Sequence, residues 1–460
     1  MNKPVDGQLQ TFCDERRDAA VAELKELVAI PSISADPAYK DDVRRCAQTL
    51  VEKMRRLGLA SEVLETAGNP IAYGQWLGAP GKPTIIVYGH YDVQPVDPLE
   101  LWLSPPFEAT VRDGNIYGRG TVDDKGQVLM HLAAIQAHMA TRKALPLNIK
   151  LVIEGEEEIG SPNFETFLAQ NRDRLACDFA VISDTSVFAE DVPSLTVSLR
   201  GLVNWEVCVD GPSTDLHSGY YGGTICNPIE ALAQMIAGLK DADGRVVVPG
   251  FYDGVPELSA QEQADLRALP YDEAEEAKKV GATELSGEAG RSPLERMWFR
   301  PTLELNGIWG GYQGAGAKTI IPSYARAKIS ARLVGSQEPE HVKKIVTDYL
   351  TRLAPPGVRV SVEARGDTRA VRTSRDHPAV AAAARAMESG FGKPAVFIGT
   401  GGTIGPVSSF DRILQLPQVL FGVGLPDDAI HAPNEKFTLR QFFGGIKAIA
   451  QLYDELAALS

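Results

Sequence analysis

Thr84-Ile85-Ile86-Val87-Tyr88-Gly89-His90-Tyr91-Asp92 is the stretch on which the fold turns. Its β-branched and aromatic run, ended by glycine, predicts a buried strand of a parallel sheet, and ligands in such sheets sit just beyond the carboxyl ends of the strands. His90 and Asp92 fall at that end. Residues two apart in extended chain point the same way, so Asp92 can accept a hydrogen bond from one imidazole nitrogen of His90 while the other nitrogen faces a metal.

Working outward, the loop Gly118-Arg119-Gly120-Thr121-Val122-Asp123-Asp124-Lys125-Gly126 carries Asp123 toward the same end. Asn148–Ile153 predicts a further strand leading into Glu154-Gly155-Glu156-Glu157-Glu158, and Phe179–Ile182 another that ends in Ser183-Asp184. Val419–Val423 precedes His431. Carboxylate and imidazole without thiolate suit zinc, manganese or cobalt. One carboxylate bridging two ions, each completed by a His and a further carboxylate, would set them ~3.5–4 Å apart around a shared water, activated near neutral pH. A spare neighbouring carboxylate can shuttle the proton. Glu157 and Glu158 suit that division, since neighbours in extended chain point to opposite sides.

Helical spacing covers 14–30, 41–58, Val128–Ala140, 378–388 and 438–457, and short strands are predicted at Ala60–Leu64 and Ile71–Leu77. Past residue 196 the texture changes. Ser194–Val209 and Ala325–Val334 alternate as half-exposed strands, 357–362 is a strand, and Pro228–Leu239 and Pro339–Leu353 are helical. The charged run Asp272–Lys279 predicts a solvated helix face. After His377 the α/β texture returns. The expected organisation is therefore an α/β catalytic domain in two parts, 1–196 and 369–460, with a smaller two-layer α+β domain, 197–368, inserted.

Composition bounds the function. The 460 residues exceed what one core normally holds, and a formal net charge of −14 argues against nucleic acid or anionic membrane as partner. Five widely spaced cysteines without a C-x-x-C pair point to a reducing compartment. No signal peptide and no apolar run of ~20 residues is evident, so a cytoplasmic enzyme is expected. His131 and His138 are read as packing or surface residues, and His341 and His377 as poor ligand candidates. Gly314–Lys318 departs from a phosphate loop, and no G-x-S-x-G elbow occurs.

Eight segments in order, GHYDVQP (89–95), YGRGTVDDKG (117–126), EGEEEIGS (154–161), SDT (183–185), DLHSGYYGG (215–223), GAKTIIP (316–322), SARLV (330–334) and HAPNEKF (431–437), resemble the carnosinase-like cytosolic dipeptidases. These belong to the two-metal exopeptidases and deacylases that include acetylornithine deacetylase, succinyl-diaminopimelate desuccinylase and glutamate carboxypeptidase. The resemblance implies a mixed-sheet metallopeptidase domain with an inserted lid and dimerisation domain. It implies that His90, Asp123 and Asp184 bind one ion and Asp123, Glu158 and His431 the other, with Asp123 as bridge. Glu157 would be general base and acid, Asp92 would orient His90, and the Asp123–Asp124 peptide would be cis. His217 would stabilise the oxyanion, acting in trans within a homodimer. Thr319, Arg332, Gly401, Gly402 and Thr403 would hold the substrate backbone and its C-terminal carboxylate.

The expected activity is a dipeptidase with two divalent ions per subunit, zinc first and manganese or cobalt as alternatives. The rival activity is an N-acyl amino-acid deacylase or carboxypeptidase on the same site, and the rival class a catalytically silent binding protein. Two departures from the family lie at Arg365-Gly366-Asp367, where nonspecific dipeptidases carry His-Gly, and at Ile159, where a small polar residue is usual.

Overall fold

A computed structural model describes residues 6–459. Its contacts divide the chain into two units, one of Met1–Val197, Thr373–Ile398 and Ile404–Ser460, the other of Ser198–Arg372 with Gly399–Thr403. The sequence pattern alone puts the second boundary at 368 and leaves 399–403 in the catalytic part. Two sets of bonds draw these residues to the second unit. Val371 and Arg372 pair with Leu199 and Ser198. The Thr403 hydroxyl bonds both the Arg332 guanidinium and the Arg200 carbonyl.

The first unit is built on a mixed sheet. Its strands run in the order Ala60–Leu64, Ile71–Trp76, Asn148–Glu154, Thr84–His90, Phe179–Ile182, Gln418–Leu420, Ser194–Leu199. The Thr84–His90 strand lies centrally, parallel to Asn148–Glu154 and to Phe179–Ile182. Burial on both faces is what its unbroken apolar run requires, and Ile85, Ile86, Val87 and Tyr88 are at most 1% exposed. The parallel strands all point their carboxyl ends the same way, so the loops after His90, Glu154 and Ile182 gather at one edge. Helices Lys40–Arg56, Lys125–Arg142, Pro378–Phe391 and Leu439–Leu456 contribute Met54, Leu132, Ala383 and Ile449 to the core.

Two local expectations are revised. Residues 14–30 are not one helix: Gly7–Glu15 and Arg17–Val28 meet at Arg16, the first capped by the Asp6 carboxylate, which accepts from Gln8 and Leu9 N–H. Ser194–Val209 is two strands, Ser194–Leu199 and Gly201–Asp210, broken at Arg200. The first is buried throughout because its alternating polar residues are small hydroxyls. Ser194 Oγ, for example, donates to Val192 O and accepts from Phe188 N.

The second unit is a four-stranded antiparallel sheet in the order Thr302–Gly310, Tyr324–Leu333, Gly201–Asp210, Arg359–Thr368. Val203, Trp205, Val207 and Val209 alternate inward. They pack with Leu232 and Met235 of helix Pro228–Ala237 and Val342 and Val346 of helix Pro339–Leu353, which makes two layers. The helix Glu273–Lys279 buries only Ala277. Among the described residues no helix is long and apolar enough to cross a membrane.

Candidate metal centre

At the sheet edge of the first unit, the imidazoles of His90 and His431 face one carboxylate from opposite sides. His90 Nε2 lies 3.0 Å from Asp123 Oδ1 and 4.0 Å from Asp184 Oδ1, while His431 Nε2 lies 3.0 Å from Asp123 Oδ2 and 3.2 Å from Glu158 Oε2. Each oxygen of Asp123 is thus committed to a different histidine. His90, Asp123 and Glu158 bring ligand atoms within 4.8 Å of one another. Asp184 and His431 stand one step outside that cluster on the His90 and Glu158 sides.

His90, Glu158 and Asp123 are held from behind. His90 Nδ1 is 3.1 Å from the Asp92 carbonyl and 3.5 Å from the Asp92 carboxylate. The main-chain bond is the shorter, and it fixes the proton on Nδ1 and leaves the Nε2 lone pair for a cation. The Asp92 carboxylate is engaged elsewhere, accepting from the backbone N–H of Glu157 (3.2 Å) and of Glu158 (3.0 Å). Those glutamates sit in a tight turn, Glu157–Ile159, not in extended chain, so the turn and the Asp92 clamp separate their side chains. Gln94 Nε2 donates to Glu158 Oε2 at 2.8 Å.

The loop that presents Asp123 wraps a buried carboxylate. Glu435 accepts from the N–H groups of Gly120, Val122 and Asp123 and from Arg119 Nη1 at 2.7 Å. Burial pushes the Glu435 carboxyl up to about 7, against Arg119. Close approach also explains Gly126, where a Cβ would stand 1.9 Å from the Thr121 carbonyl. The Asp123–Asp124 peptide is cis. Asp124 then turns back so that its Oδ2 accepts the His90 N–H at 3.1 Å.

Electrostatically, these side chains bring several carboxylates together where burial disfavours their charge. Burial raises Glu157 to about 7, with His90 opposing and Asp123 and Glu158 adding to the rise. Asp184 is pushed well above the carboxylate range by burial, and His90 opposes this. Asp123 goes the other way: burial would raise it, yet hydrogen bonds from His431 and His90 hold it well below. Hydrogen bonds to Asp123 and then Glu158 carry His431 up to about 10. A divalent cation would balance this charge, and oxygen and imidazole donors around a shared carboxylate fit one.

The substrate-side candidates lie in the second unit as two groups. His217 pairs across strands with Ile320, next to Thr319, and its Nδ1 accepts the Gly219 N–H at 3.0 Å, which leaves a neutral ring its proton on Nε2. Arg332 Nη1 donates to Thr403 Oγ1 at 2.6 Å, and Arg200 Nε donates to the Gly401 carbonyl at 3.2 Å. Of the remaining histidines, His131 and His138 are buried. His131 bonds Tyr453 Oη (2.8 Å) and Ser183 Oγ (2.7 Å), and burial lowers it to about 3. Sequence reasoning misses the supporting roles of Glu435, Gln94 and Arg200. All three sit in or beside quoted segments, but only the folded loops bring them to their partners.

The profile of Peptidase family M20/M25/M40 matches residues 86–455. The chain is 32% identical over 469 residues to the Cys-Gly metallodipeptidase dug1 of Schizosaccharomyces pombe, covering 98% of each chain. It is also 32% identical over 474 residues to the Beta-Ala-His dipeptidase of Homo sapiens, covering 97% of this chain and 92% of that one. Among solved structures, human carnosine dipeptidase 1 superposes with a TM-score of 0.80 at 31% identity, covering 98% of both chains. The M20 family metallo-carboxypeptidase Sso-CP2 from Sulfolobus solfataricus gives 0.84 at 32% identity, covering 96% of this chain and 99% of that one.

Proposed function

The chain belongs to Peptidase family M20/M25/M40, and from that premise we propose that it is a metal-dependent dipeptidase whose divalent ions would share Asp123 as a ligand. The observation that carries the proposal is the division of the Asp123 oxygens between His90 and His431, each 3.0 Å away. His90, Asp123 and Asp184 would hold one divalent ion, and Asp123, Glu158 and His431 a second, with zinc, manganese and cobalt all suited to these donors. When bound, such ions supply an activated water near neutral pH and polarise a carbonyl.

The chain's own residues do the rest. Glu157 takes a proton from the attacking water and delivers it to the leaving amine. Asp92 fixes the turn that aims Glu157, and its carbonyl keeps the His90 proton on Nδ1. His217, with its proton on Nε2, donates to the oxyanion that forms at the scissile carbonyl. Thr319, Arg332 and the Gly401-Gly402-Thr403 segment hold the substrate backbone and its terminal carboxylate. Five free thiols support a reducing, cytoplasmic setting.

The test is a panel of dipeptides and N-acyl amino acids run with zinc, manganese and cobalt. Cleavage of dipeptides that requires the free amino group supports the proposal. Equal cleavage of N-blocked substrates supports instead a carboxypeptidase or deacylase, a second reading favoured by the likeness to Sso-CP2. No cleavage of any amide would leave a silent binding protein.

Arg332 offers a sharper check on the carboxylate. Amidating the C-terminus of a good dipeptide should lower kcat/KM by about 10–100-fold in the wild type but only slightly in Arg332→Ala, where the guanidinium is already lost. Independent, multiplying losses would put the carboxylate elsewhere.

We also propose a homodimer in which His217 serves the partner's centre. Supporting this, the loop of His217 exposes Tyr220 (81%) and Tyr221, and the same unit exposes Ile308, Tyr312 and Tyr324. Glu157→Ala and His217→Ala, each inactive alone, should recover about a quarter of wild-type activity when unfolded and refolded together, because half the dimers are mixed and each has one intact site. Action within one subunit would restore nothing.

A further inference from the structure

A cavity of about 230 Å³ in the second unit adjoins the residues assigned to the substrate's terminal carboxylate. Thr302 on its wall is the cross-strand partner of Arg332. Arg200, also on the wall, accepts the Thr403 hydroxyl at its carbonyl (2.5 Å) and donates from Nε to Gly401 O. The volume falls below the ~300–1,000 Å³ of a whole small-molecule site and suits a single side chain.

The charges lining it do not balance. Four cationic groups, Arg200, Lys240, Arg296 and Arg300, face two carboxylates, Glu288 and Glu304. Lys240 takes Glu304 at 3.1 Å and Arg300 takes Glu288 at 2.8 Å. Arg200 and Arg296 have no carboxylate among the described residues, and Arg200 Nη1 and Arg296 Nε are buried without an acceptor there. Burial first, and then the charge of Arg332, lower Arg200 to about 10, while Glu304 opposes from too far to pair. Guanidinium nitrogens removed from water and left unpaired are costly, and a carboxylate is an anion that their planar geometry fits. Met297, Leu303 and Val246 supply apolar wall for the methylene groups that would carry it.

We propose that this cavity receives the side chain of the substrate's C-terminal residue and selects an acidic one, so that the enzyme favours dipeptides ending in glutamate or aspartate. Arg332, braced by Thr403, takes the α-carboxylate, and Arg200 with Arg296 takes the side-chain carboxylate. The inference rests on the dipeptidase reading for its first carboxylate.

Two measurements on the metal-loaded enzyme test it, each on wild type and Arg296→Met. The first is the ratio of kcat/KM for Ala-Glu over Ala-Gln, expected to be at least about tenfold in the wild type and to fall toward one in the variant. The second is calorimetric binding of glutarate, whose two carboxylates are spaced as in glutamate, against butyrate, with the same ratio and the same collapse expected. Equal handling of Ala-Glu and Ala-Gln by the wild type overturns the subsite, and so does a glutarate preference that survives in Arg296→Met. Should Arg296→Met fail to fold, Arg296→Lys, which keeps the charge but loses the planar fork, should lower both ratios without abolishing them; unchanged ratios there overturn the subsite. A glutarate preference without hydrolysis of any dipeptide contradicts the dipeptidase reading alone, and hydrolysis without acid preference contradicts the subsite alone.

Discussion

Glu157→Gln is expected to lower kcat by about a thousandfold or more while leaving metal content unchanged, since general acid–base groups contribute ~10²–10⁴-fold and glutamine keeps the shape without the proton shuttle. Glu158→Gln, one residue on, should behave differently. Its Oε2 faces His431 at 3.2 Å, so its loss should weaken one ion and be rescued in part by excess metal. Swapped phenotypes would show that the roles of the two are reversed. The pH profile gives an independent readout. Burial sets the Glu157 carboxyl at about 7 in the metal-free protein, and nearby cations would lower it. In the proposed mechanism the ionised form of Glu157 is the active one, so kcat/KM should fall as pH drops through its pKa. That acid limb should be absent in Glu157→Gln.

Metal removal is the second large effect. Chelation should abolish peptide hydrolysis, and added divalent ion should restore it, because at neutral pH unassisted water is a poor nucleophile. Chelation should also lower Tm, since the emptied cluster of Asp123, Asp184, Glu157 and Glu158 keeps mutual repulsion that protons relieve incompletely. A ligand at a hundred times its Kd stabilises by about 2.7 kcal/mol, which sets the scale of the loss. Full activity in a stringently metal-free sample would contradict the proposal.

Much of this is legible in the chain because it depends on local pattern. An unbroken apolar run ending in Gly89-His90 can be little other than a central parallel strand, and acids after Ile153 and Ile182 follow the same rule at neighbouring strand ends. What local pattern does not carry is tertiary partnership. Spacing alone makes Asp92 a carboxylate that orients His90, yet its carboxylate holds the Glu157–Glu158 turn, and its carbonyl makes the shorter bond to the imidazole. Glu435 stands 312 residues from the Asp123 amide it accepts from, and no spacing rule could pair them. Ser194–Val209 alternates without interruption in sequence, but Arg200 breaks it where the strands on either side join different sheets. Residues 399–403 look like a Gly-rich loop of the catalytic part until Thr403 bonds Arg332.

The central claim is that Asp123 joins two ions, and counting bound metal tests it most directly. Elemental analysis of the wild type, loaded and then freed of excess ion, should find close to two divalent ions per chain. Asp184→Asn and Glu158→Gln should each retain about one, and Asp123→Asn should retain neither at the same free-metal concentration. A single ion in the wild type, or two ions retained in Asp123→Asn, would contradict the bridge.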